Sequence, residues 1–432
     1  MSALAIGLVC TGALLTLILL RLPVAVAMLA TAIAGIVAIQ GWRAAVFQLG
    51  AVPYGATAYG LSVIPLFVLM GALAARTGLA RDLYDAGNGV VGQLRGGLAM
   101  GTLVGCAGFS TICGSSLATA ATMGGVSLTE MARHGYDRSL SAGAVAAGGT
   151  VGILIPPSVI LVIYAIMTEQ SVGALFAAGV VPGIVLTALF VLTVGVWVRL
   201  QPHRAPAAER HSLRRRLAAL RGIWPLLVLL VVVIGGIYTG AFTPTESAGI
   251  GAFGTGVIGA LRRRISRRLL VQALVESAVT SAMIFLIVFG SSLFSTFLAV
   301  TGLTGALRSL TVDSGLAPLS VLVLMLVILV VLGCFMDSLG IILLTVPVFF
   351  PVVVDLGYDP VWYGILLVMV VEMGLITPPV GMNVFVVRGV APDIPIGRIF
   401  AGVLPFLLAF LAAIALVIAI PQLALWLPQV VS

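Results

Sequence analysis

Apolar stretches long enough to cross a lipid bilayer follow one another along almost the whole chain. A transmembrane helix needs about 20 such residues, because the hydrocarbon layer is about 30 Å thick and each helical residue adds about 1.5 Å. Only 8% of the residues are charged, whereas about 25% is usual in soluble domains. Lipid is therefore the solvent around most of the chain, and the sequence predicts an all-α polytopic membrane protein.

The arginines lie between the apolar stretches and predict how the chain is oriented. All 22 Lys and Arg residues are arginines, and the runs 214–216 and 262–264 flank apolar spans. Cytoplasmic segments of membrane proteins carry an excess of basic residues. With the N-terminus outside, every arginine except Arg43 and Arg308 falls on the cytoplasmic side. The net charge of +8 thus reflects orientation in a membrane, and no nucleic-acid partner is expected.

The apolar stretches predict ten crossings and two re-entrant hairpins. The hairpins are 96–132, which has arginines beyond both ends, and 317–355. Each hairpin precedes a crossing that glycine and proline interrupt, and these two broken helices are 139–168 and 360–387. The other crossings are predicted at 4–20, 24–41, 61–75, 172–198, 223–240, 246–261, 278–299 and 399–426, with 43–60 as an interfacial arm.

Two short motifs recur 222 residues apart. Gly-Tyr-Asp at 135–137 returns at 357–359 (357 − 135 = 222), and Gly-x-x-x-Pro-Pro at 152–157 returns at 374–379 (374 − 152 = 222). The two broken helices are the fourth and the ninth of the ten predicted crossings, and crossings an odd number of places apart run in opposite directions. The sequence therefore predicts inverted repeats, which are typical of carriers that work by alternating access.

The repeats divide the chain into four predicted segments. Residues 1–95 hold the N-terminal spans and the interfacial arm, and 199–277 hold a basic cytoplasmic loop, two spans and a second arm. Both segments are expected to form a scaffold. Residues 96–198 form the first transport repeat, with hairpin, broken helix and following span, and residues 278–432 form the second repeat.

The helix breaks carry the predicted binding chemistry. Proline removes a backbone donor and frees carbonyls upstream, and free carbonyls persist in a membrane only where they line a cavity or bind a ligand. Such oxygens suit Na⁺, while exposed helix N-termini suit a carboxylate. The first hairpin tip, 108–119, adds hydroxyl groups, and Asp337 lies 222 residues after Ser115 in an otherwise uncharged stretch, 316–354. An acid inside a membrane segment is a candidate functional residue.

Several polar residues have a structural interpretation beside the functional one. Glu372, just before the second break, is either an ion- or proton-binding group or a hydrogen-bonding group between helices. Glu246 follows Thr243-Pro244-Thr245, which favours a role in stabilising a helix start. Asn383 follows the second proline pair and offers an amide to a polar ligand. The small residues of the first hairpin tip also suit tight helix packing.

Four segments in combination resemble the large membrane subunit of tripartite ATP-independent periplasmic (TRAP) transporters, the DctM-like family. They are 113–122, 147–158, 242–246 and 377–383. The resemblance covers nearly the whole chain and implies an elevator-type carrier in the bacterial inner membrane. It implies Na⁺-driven uptake of a small carboxylate that a periplasmic binding protein delivers. A small four-helix membrane subunit is expected as a separate partner, because this chain starts directly with its own spans.

The resemblance also implies where ligands bind. The first sodium site lies at the first tip and break, mostly through backbone carbonyls, at Cys113, Ser115, Gly152, Leu154 and Pro157. The family usually has serine where this chain has Cys113, so only the carbonyl is expected to serve there. The repeat then predicts a second sodium site at Asp337, Gly374, Ile376 and Pro379. Substrate contacts are expected at Ser116, Thr119, Ser158, Thr377 and Asn383. Na⁺ is the coupling ion, and neither a cofactor nor a transition metal is expected.

Three other functions stay open at this point. A stand-alone proton-coupled organic-anion carrier would use Asp337 or Glu372. An intramembrane hydrolase would use Ser115 or Ser116 as its nucleophile, although no histidine lies in a predicted span to act as the base. A channel also fits the composition, but broken inverted repeats favour alternating access.

Overall fold

The computed structural model describes residues 1–56, 59–206, 221–313 and 315–431. Residues 207–220 of the predicted basic loop, including the arginines at 214–216, lie outside the described residues. The described part of the chain contains twenty α-helices and no β-strand. The helices are α1 Ala3–Leu19, α2 Val24–Gln40, α3 Trp42–Ala56, α4 Val63–Arg76, α5 Leu79–Val91, α6 Gly97–Cys113, α7 Ser116–Arg133, α8 Arg138–Val151, α9 Val159–Thr168, α10 Val172–Leu200, α11 Trp224–Tyr238, α12 Pro244–Leu261, α13 Arg267–Thr301, α14 Leu303–Asp313, α15 Pro318–Gly333, α16 Ser338–Asp355, α17 Pro360–Gly374, α18 Met382–Val390, α19 Ile396–Ala419 and α20 Gln422–Val431.

The helices vary in how far they could reach across a bilayer. By length and hydropathy alone, four described helices could each cross a membrane, namely α10, α13, α16 and α19. A fifth span results if α4 and α5, which are bent by 72°, are counted together. Eight further apolar helices have 10–17 residues, and they include α1 and α2 at the predicted spans 4–20 and 24–41. The number of crossings therefore stays a prediction.

Two predicted crossings have other bounds in the structure. The crossing predicted at 278–299 lies within α13, which has 35 residues and begins where Ser266 caps it. Its early part packs on α4, where Arg76 donates to Glu276 at 2.7 Å and to Gln272 at 3.1 Å. The last crossing, predicted at 399–426, is divided into α19 and α20, because Pro421 follows Ile420, which caps the end of α19.

The 222-residue offset extends from the motifs to whole helices. Adding 222 to the bounds of α7 (116–133) gives 338–355, which are the bounds of α16. The same addition to α8 (138–151) gives 360–373, and α17 is Pro360–Gly374. Adding 222 to α5 gives 301–313, close to α14. The helix bounds therefore repeat beyond the hairpins and broken helices as well, whereas the inverted direction of the repeats stays a prediction.

The Gly-Tyr-Asp motif forms the same turn in both repeats. Gly135 (φ 72°) and Gly357 (φ 78°) have left-handed backbones, which glycine adopts without steric cost. Asp137 then caps α8 by accepting from Leu140 N at 3.0 Å, and Asp359 caps α17 by accepting from Trp362 N at 2.9 Å. The motif therefore ends a hairpin and starts a broken helix.

The two repeats pack against each other reciprocally. The first hairpin helix lies on the first half of the broken helix in its own repeat, as α6 on α8 and α15 on α17. The second hairpin helix lies on the second half of the broken helix of the other repeat, as α7 on α18 and α16 on α9. In addition, α8 packs against α19, and α17 packs against α10. Both hairpin tips and both breaks therefore meet where the repeats join.

The contact between α8 and α19 brings two backbones together. A Cβ atom built on Gly143 would lie 2.2 Å from the Gly402 carbonyl oxygen, and one built on Gly402 would lie 2.0 Å from the Ser139 carbonyl oxygen. Ser139 Oγ also donates to the Arg398 carbonyl at 2.6 Å. Only glycine permits this approach, which joins the first repeat to the second.

Replacing Gly143 by alanine is therefore expected to destabilise the fold. The new methyl group must push α8 and α19 apart, and overpacking of this kind costs about 1–3 kcal/mol. Gly397 is the matched control, because no heavy atom lies within 4 Å of its Cβ position. Thermal unfolding in detergent should show a lower midpoint for Gly143→Ala than for Gly397→Ala, and equal midpoints would contradict the contact.

Candidate binding site at the hairpin tips and helix breaks

The tip of the first hairpin lies against both ends of the first break. A Cβ atom on Gly152, which directly follows α8, would lie 1.6 Å from the Ser110 Cβ of α6. At the tip, Gly114 is left-handed (φ 63°), and its Cβ position is 3.3 Å from Val159 Cγ2 at the start of α9. Ser115 caps α7 by accepting from Ala118 N at 3.3 Å. The first tip and the first break therefore form one packed junction.

The tip of the second hairpin makes the equivalent junction with the second break. A Cβ atom on Gly374 would lie 2.6 Å from the Gly333 Cα, so the two backbones touch. Gly381 N donates to the Cys334 carbonyl at 3.2 Å, and Cys334 Sγ donates to the Pro378 carbonyl at 3.3 Å. Asp337 caps α16 by accepting from Gly340 N at 3.3 Å. Asp337 thus occupies the position at its tip that Ser115 occupies at the other.

The two breaks interrupt their helices at the predicted proline pairs but differ in exposure. Neither Pro156-Pro157 nor Pro378-Pro379 lies in a helix, and the peptide bond within each pair is cis. The first pair is buried, whereas both prolines of the second pair are exposed. The second junction is therefore the more open of the two.

The residues of the predicted first sodium site divide into two groups. Ser115 and Gly152 belong to the junction of tip and break, as described above. Two predicted carbonyl ligands lie against other helices: the Cys113 oxygen is 2.8 Å from the Cβ position of Gly71, and the Leu154 oxygen is 2.1 Å from that of Gly179. Pro157 is buried within the break.

The residues of the predicted second sodium site lie along one junction. Asp337 is half-buried at the tip, and Gly374 forms the backbone contact to the hairpin. Ile376 is fully buried inside the break, while Pro379 is exposed at its outer edge. Of the four, Asp337 alone has a side chain that could bind a cation directly.

A buried carboxylate connects the two hairpins. Glu372 Oε1, on α17, accepts from Ser338 Oγ at 2.6 Å and from Ser116 Oγ at 3.3 Å. Glu372 is fully buried, and its Oε2 has no hydrogen-bond partner within the described part of the chain. The two serines are repeat equivalents, since 338 − 116 = 222. The interpretation of Glu372 as a hydrogen-bonding group between helices therefore fits the structure.

The five predicted substrate residues do not all lie together. The backbone carbonyl of Ser116 and the amide of Asn383 meet at Gly149, whose Cβ position is 3.0 Å from the Ser116 carbonyl oxygen and 3.1 Å from Asn383 Nδ2. Thr119 is buried and accepts from Ser110 Oγ at 2.9 Å. The other two residues make local hydrogen bonds. The hydroxyl of Ser158 caps α9, and Thr377 donates to the Met373 carbonyl at 2.7 Å.

The electrostatics of the site follow from helix ends. Ser116 and Ser338 are the first residues of α7 and α16, which have 18 residues each. Helix N-termini carry partial positive charge and bind anionic groups.

Outside the candidate site, Glu246 forms a capping box with Thr243 at the start of α12, so its predicted role at a helix start is confirmed.

Comparison with known proteins identifies the family. A model of the family described as "Tripartite ATP-independent periplasmic transporter, DctM component" matches residues 11–423. The chain belongs to this family. It is 40% identical over 373 residues to the C4-dicarboxylate TRAP transporter large permease protein DctM of Pseudomonas aeruginosa, covering 86% of each chain. It is 36% identical to the permease of the same name from Rhodobacter capsulatus, covering 88% of this chain and 89% of that one.

A solved structure shares the fold of this DctM-family chain. The YdaH transporter of Alcanivorax borkumensis superposes with a TM-score of 0.63 at 15% identity, covering 89% of this chain and 88% of that one. The predicted resemblance to TRAP large permeases and the all-α membrane fold class are thus confirmed. The elevator motion stays a prediction.

Proposed function

We propose that this DctM-family chain is the large subunit of a Na⁺-driven TRAP transporter that imports a small carboxylate across the bacterial inner membrane. One observation carries the proposal: each hairpin tip is packed onto the helix break of its own repeat, through Gly152 in one repeat and Gly374 in the other. Two equivalent junctions of capped tips and non-helical backbone suit ion coupling at two sites.

The two junctions bind Na⁺ in this mechanism. Ser115 and the first break form one site, and Asp337 and the second break form the other. Na⁺ holds each tip against its break and adds positive charge near the start of α7 and α16. Each net charge that moves inward gains about 2.3 kcal/mol per 100 mV of membrane potential. The domain that carries both hairpins then crosses the membrane relative to the scaffold.

The substrate is a small organic acid, and a C4-dicarboxylate is the first candidate because two relatives of this chain are named as C4-dicarboxylate permeases. Its carboxylate binds through Thr119 and Asn383 near the start of α7, where helix N-termini favour anions, while the Ser116 hydroxyl keeps its bond to Glu372. A periplasmic binding protein delivers the solute, and a small four-helix membrane subunit completes the transporter.

Removal of Na⁺ tests the coupling. The chain, its small subunit and its binding protein are reconstituted in proteoliposomes, and uptake of radiolabelled succinate is measured. Replacing external Na⁺ by choline should abolish uptake, because neither junction then holds its tip. Undiminished uptake in choline, or uptake that a pH gradient drives without Na⁺, would contradict Na⁺ coupling and favour a proton-coupled carrier.

A further inference from the structure

Glu372 joins parts of the chain that belong to different repeats. It lies on α17 in the second repeat and accepts from Ser116, 256 residues away at the first tip, and from Ser338 at the second tip. Both hydroxyls bind the same oxygen, Oε1. Movement of either hairpin away from the repeat interface must therefore break a hydrogen bond to one shared atom.

The position of Glu372 in the repeat has no acidic counterpart. The equivalent residue in the first repeat is Thr150 (372 − 222 = 150), whose hydroxyl donates to the Ala147 carbonyl within its own helix. The serines are symmetric between the repeats, whereas their common acceptor is a single carboxylate. One group thus connects two otherwise equivalent tips.

The strength of the connection follows from its surroundings. Glu372 is fully buried, and Ser338 Oγ donates to its Oε1 in a short hydrogen bond of 2.6 Å, whereas the bond from Ser116 Oγ is longer at 3.3 Å. Ser116 and Ser338 each begin an 18-residue helix, so two helix dipoles also face the carboxylate. Each serine directly follows the residue that caps its helix at the tip, namely Ser115 or Asp337.

We propose that Glu372 is a positioning residue that couples the two hairpin tips, so that closure of one tip by an ion favours closure of the other. This inference rests on the proposed function, because it concerns Na⁺ at those two tips. When Ser116 and Ser338 both donate to Glu372, the residues beside them are held at their breaks together. Loss of the shared acceptor leaves two tips that bind ions independently.

The test is equilibrium binding of ²²Na⁺ to the purified full chain in nanodiscs. Two coupled sites give a Hill coefficient between one and the number of sites. The wild type is expected to bind with a coefficient approaching about 2, and Glu372→Leu with a coefficient near about 1. Ser338→Ala should lower the Hill coefficient as Glu372→Leu does. Ser338→Thr keeps the hydroxyl and should bind with the wild-type coefficient.

Thr345→Val is the matched control. Thr345 is buried on α16, as Ser338 is, but its hydroxyl donates to the Ile341 carbonyl of its own helix at 2.8 Å. The control should keep the wild-type coefficient, so general loosening of α16 is separated from loss of the shared acceptor. If Glu372→Leu is not monodisperse after purification, the pair Ser338→Ala and Ser338→Thr gives the same comparison.

The outcomes separate this inference from the proposed function. No saturable ²²Na⁺ binding to the wild type would overturn the Na⁺ coupling itself. Saturable binding with a coefficient of one in the wild type, or an unchanged coefficient in Glu372→Leu and Ser338→Ala, would overturn the coupling role of Glu372 and leave Na⁺-driven transport standing.

Discussion

Replacing Gly152 by alanine is expected to abolish Na⁺-driven uptake. The added Cβ would lie 1.6 Å from the Ser110 Cβ and 2.3 Å from its Oγ, so the first tip must move away from the first break. That movement opens the junction at which the first Na⁺ is proposed to bind. Overpacking also costs about 1–3 kcal/mol, so the midpoint of thermal unfolding should fall. Succinate uptake into proteoliposomes and thermal unfolding in detergent measure the two effects.

Gly125→Ala is the control for this prediction. Gly125 lies in the second helix of the same hairpin, and no heavy atom lies within 4 Å of its Cβ position. Alanine is favoured over glycine inside a helix by up to about 1 kcal/mol, so this variant should be at least as stable as the wild type and transport normally. Ser110→Gly should recover part of the uptake of Gly152→Ala, because it removes the nearest atoms. If Gly152→Ala transports as well as Gly125→Ala, the first junction has no role in transport.

Replacing Asp337 by serine is expected to raise the Na⁺ concentration for half-maximal uptake by about tenfold, which corresponds to about 1.4 kcal/mol of binding free energy. Serine caps a helix about as well as aspartate, and Ser115 caps α7 at the equivalent position. The substitution therefore keeps the start of α16 but removes the negative charge from the proposed cation site. Stability should change little, and uptake measured over a range of Na⁺ concentrations should show the shift.

Asp359→Ser controls for the loss of an acidic helix cap. Asp359 caps α17 by accepting from Val361 N at 2.8 Å and Trp362 N at 2.9 Å, at the opposite end of that helix from the second break. Its replacement should leave the Na⁺ dependence of uptake unchanged. If Asp337→Ser has the same Na⁺ dependence as Asp359→Ser, Asp337 is a helix cap and not a cation ligand.

The sequence was most informative where glycine and proline interrupt apolar stretches. The hairpin predicted at 96–132 corresponds to α6 and α7, and the broken helix predicted at 360–387 corresponds to α17 and α18. Proline stops the helical hydrogen bonds, and the Gly-Tyr-Asp turn both ends and starts a helix, so local chemistry sets these boundaries. By contrast, no proline marks the start of the apolar part of α13. This helix has 35 residues and is longer than the crossing predicted at 278–299.

The candidate site was only partly visible in the sequence. The 222-residue spacing pointed to Ser115 and Asp337, because equivalent positions in a repeat occupy equivalent places. The bridge from Ser116 to Glu372 spans 256 residues, and no local pattern encodes a contact that depends on how two repeats pack. Nor does any sequence pattern predict where an individual carbonyl group points. The Leu154 oxygen lies against Gly179 of α10, because the chain turns within the break.

A cryo-EM map of the transporter in NaCl, compared with one in choline chloride, tests the two-junction account most directly. We expect a compact density peak beside Ser115 at the first break and another beside Asp337 at the second break, both present only with Na⁺. Maps without a peak at either junction, or with identical peaks in choline, would contradict the account.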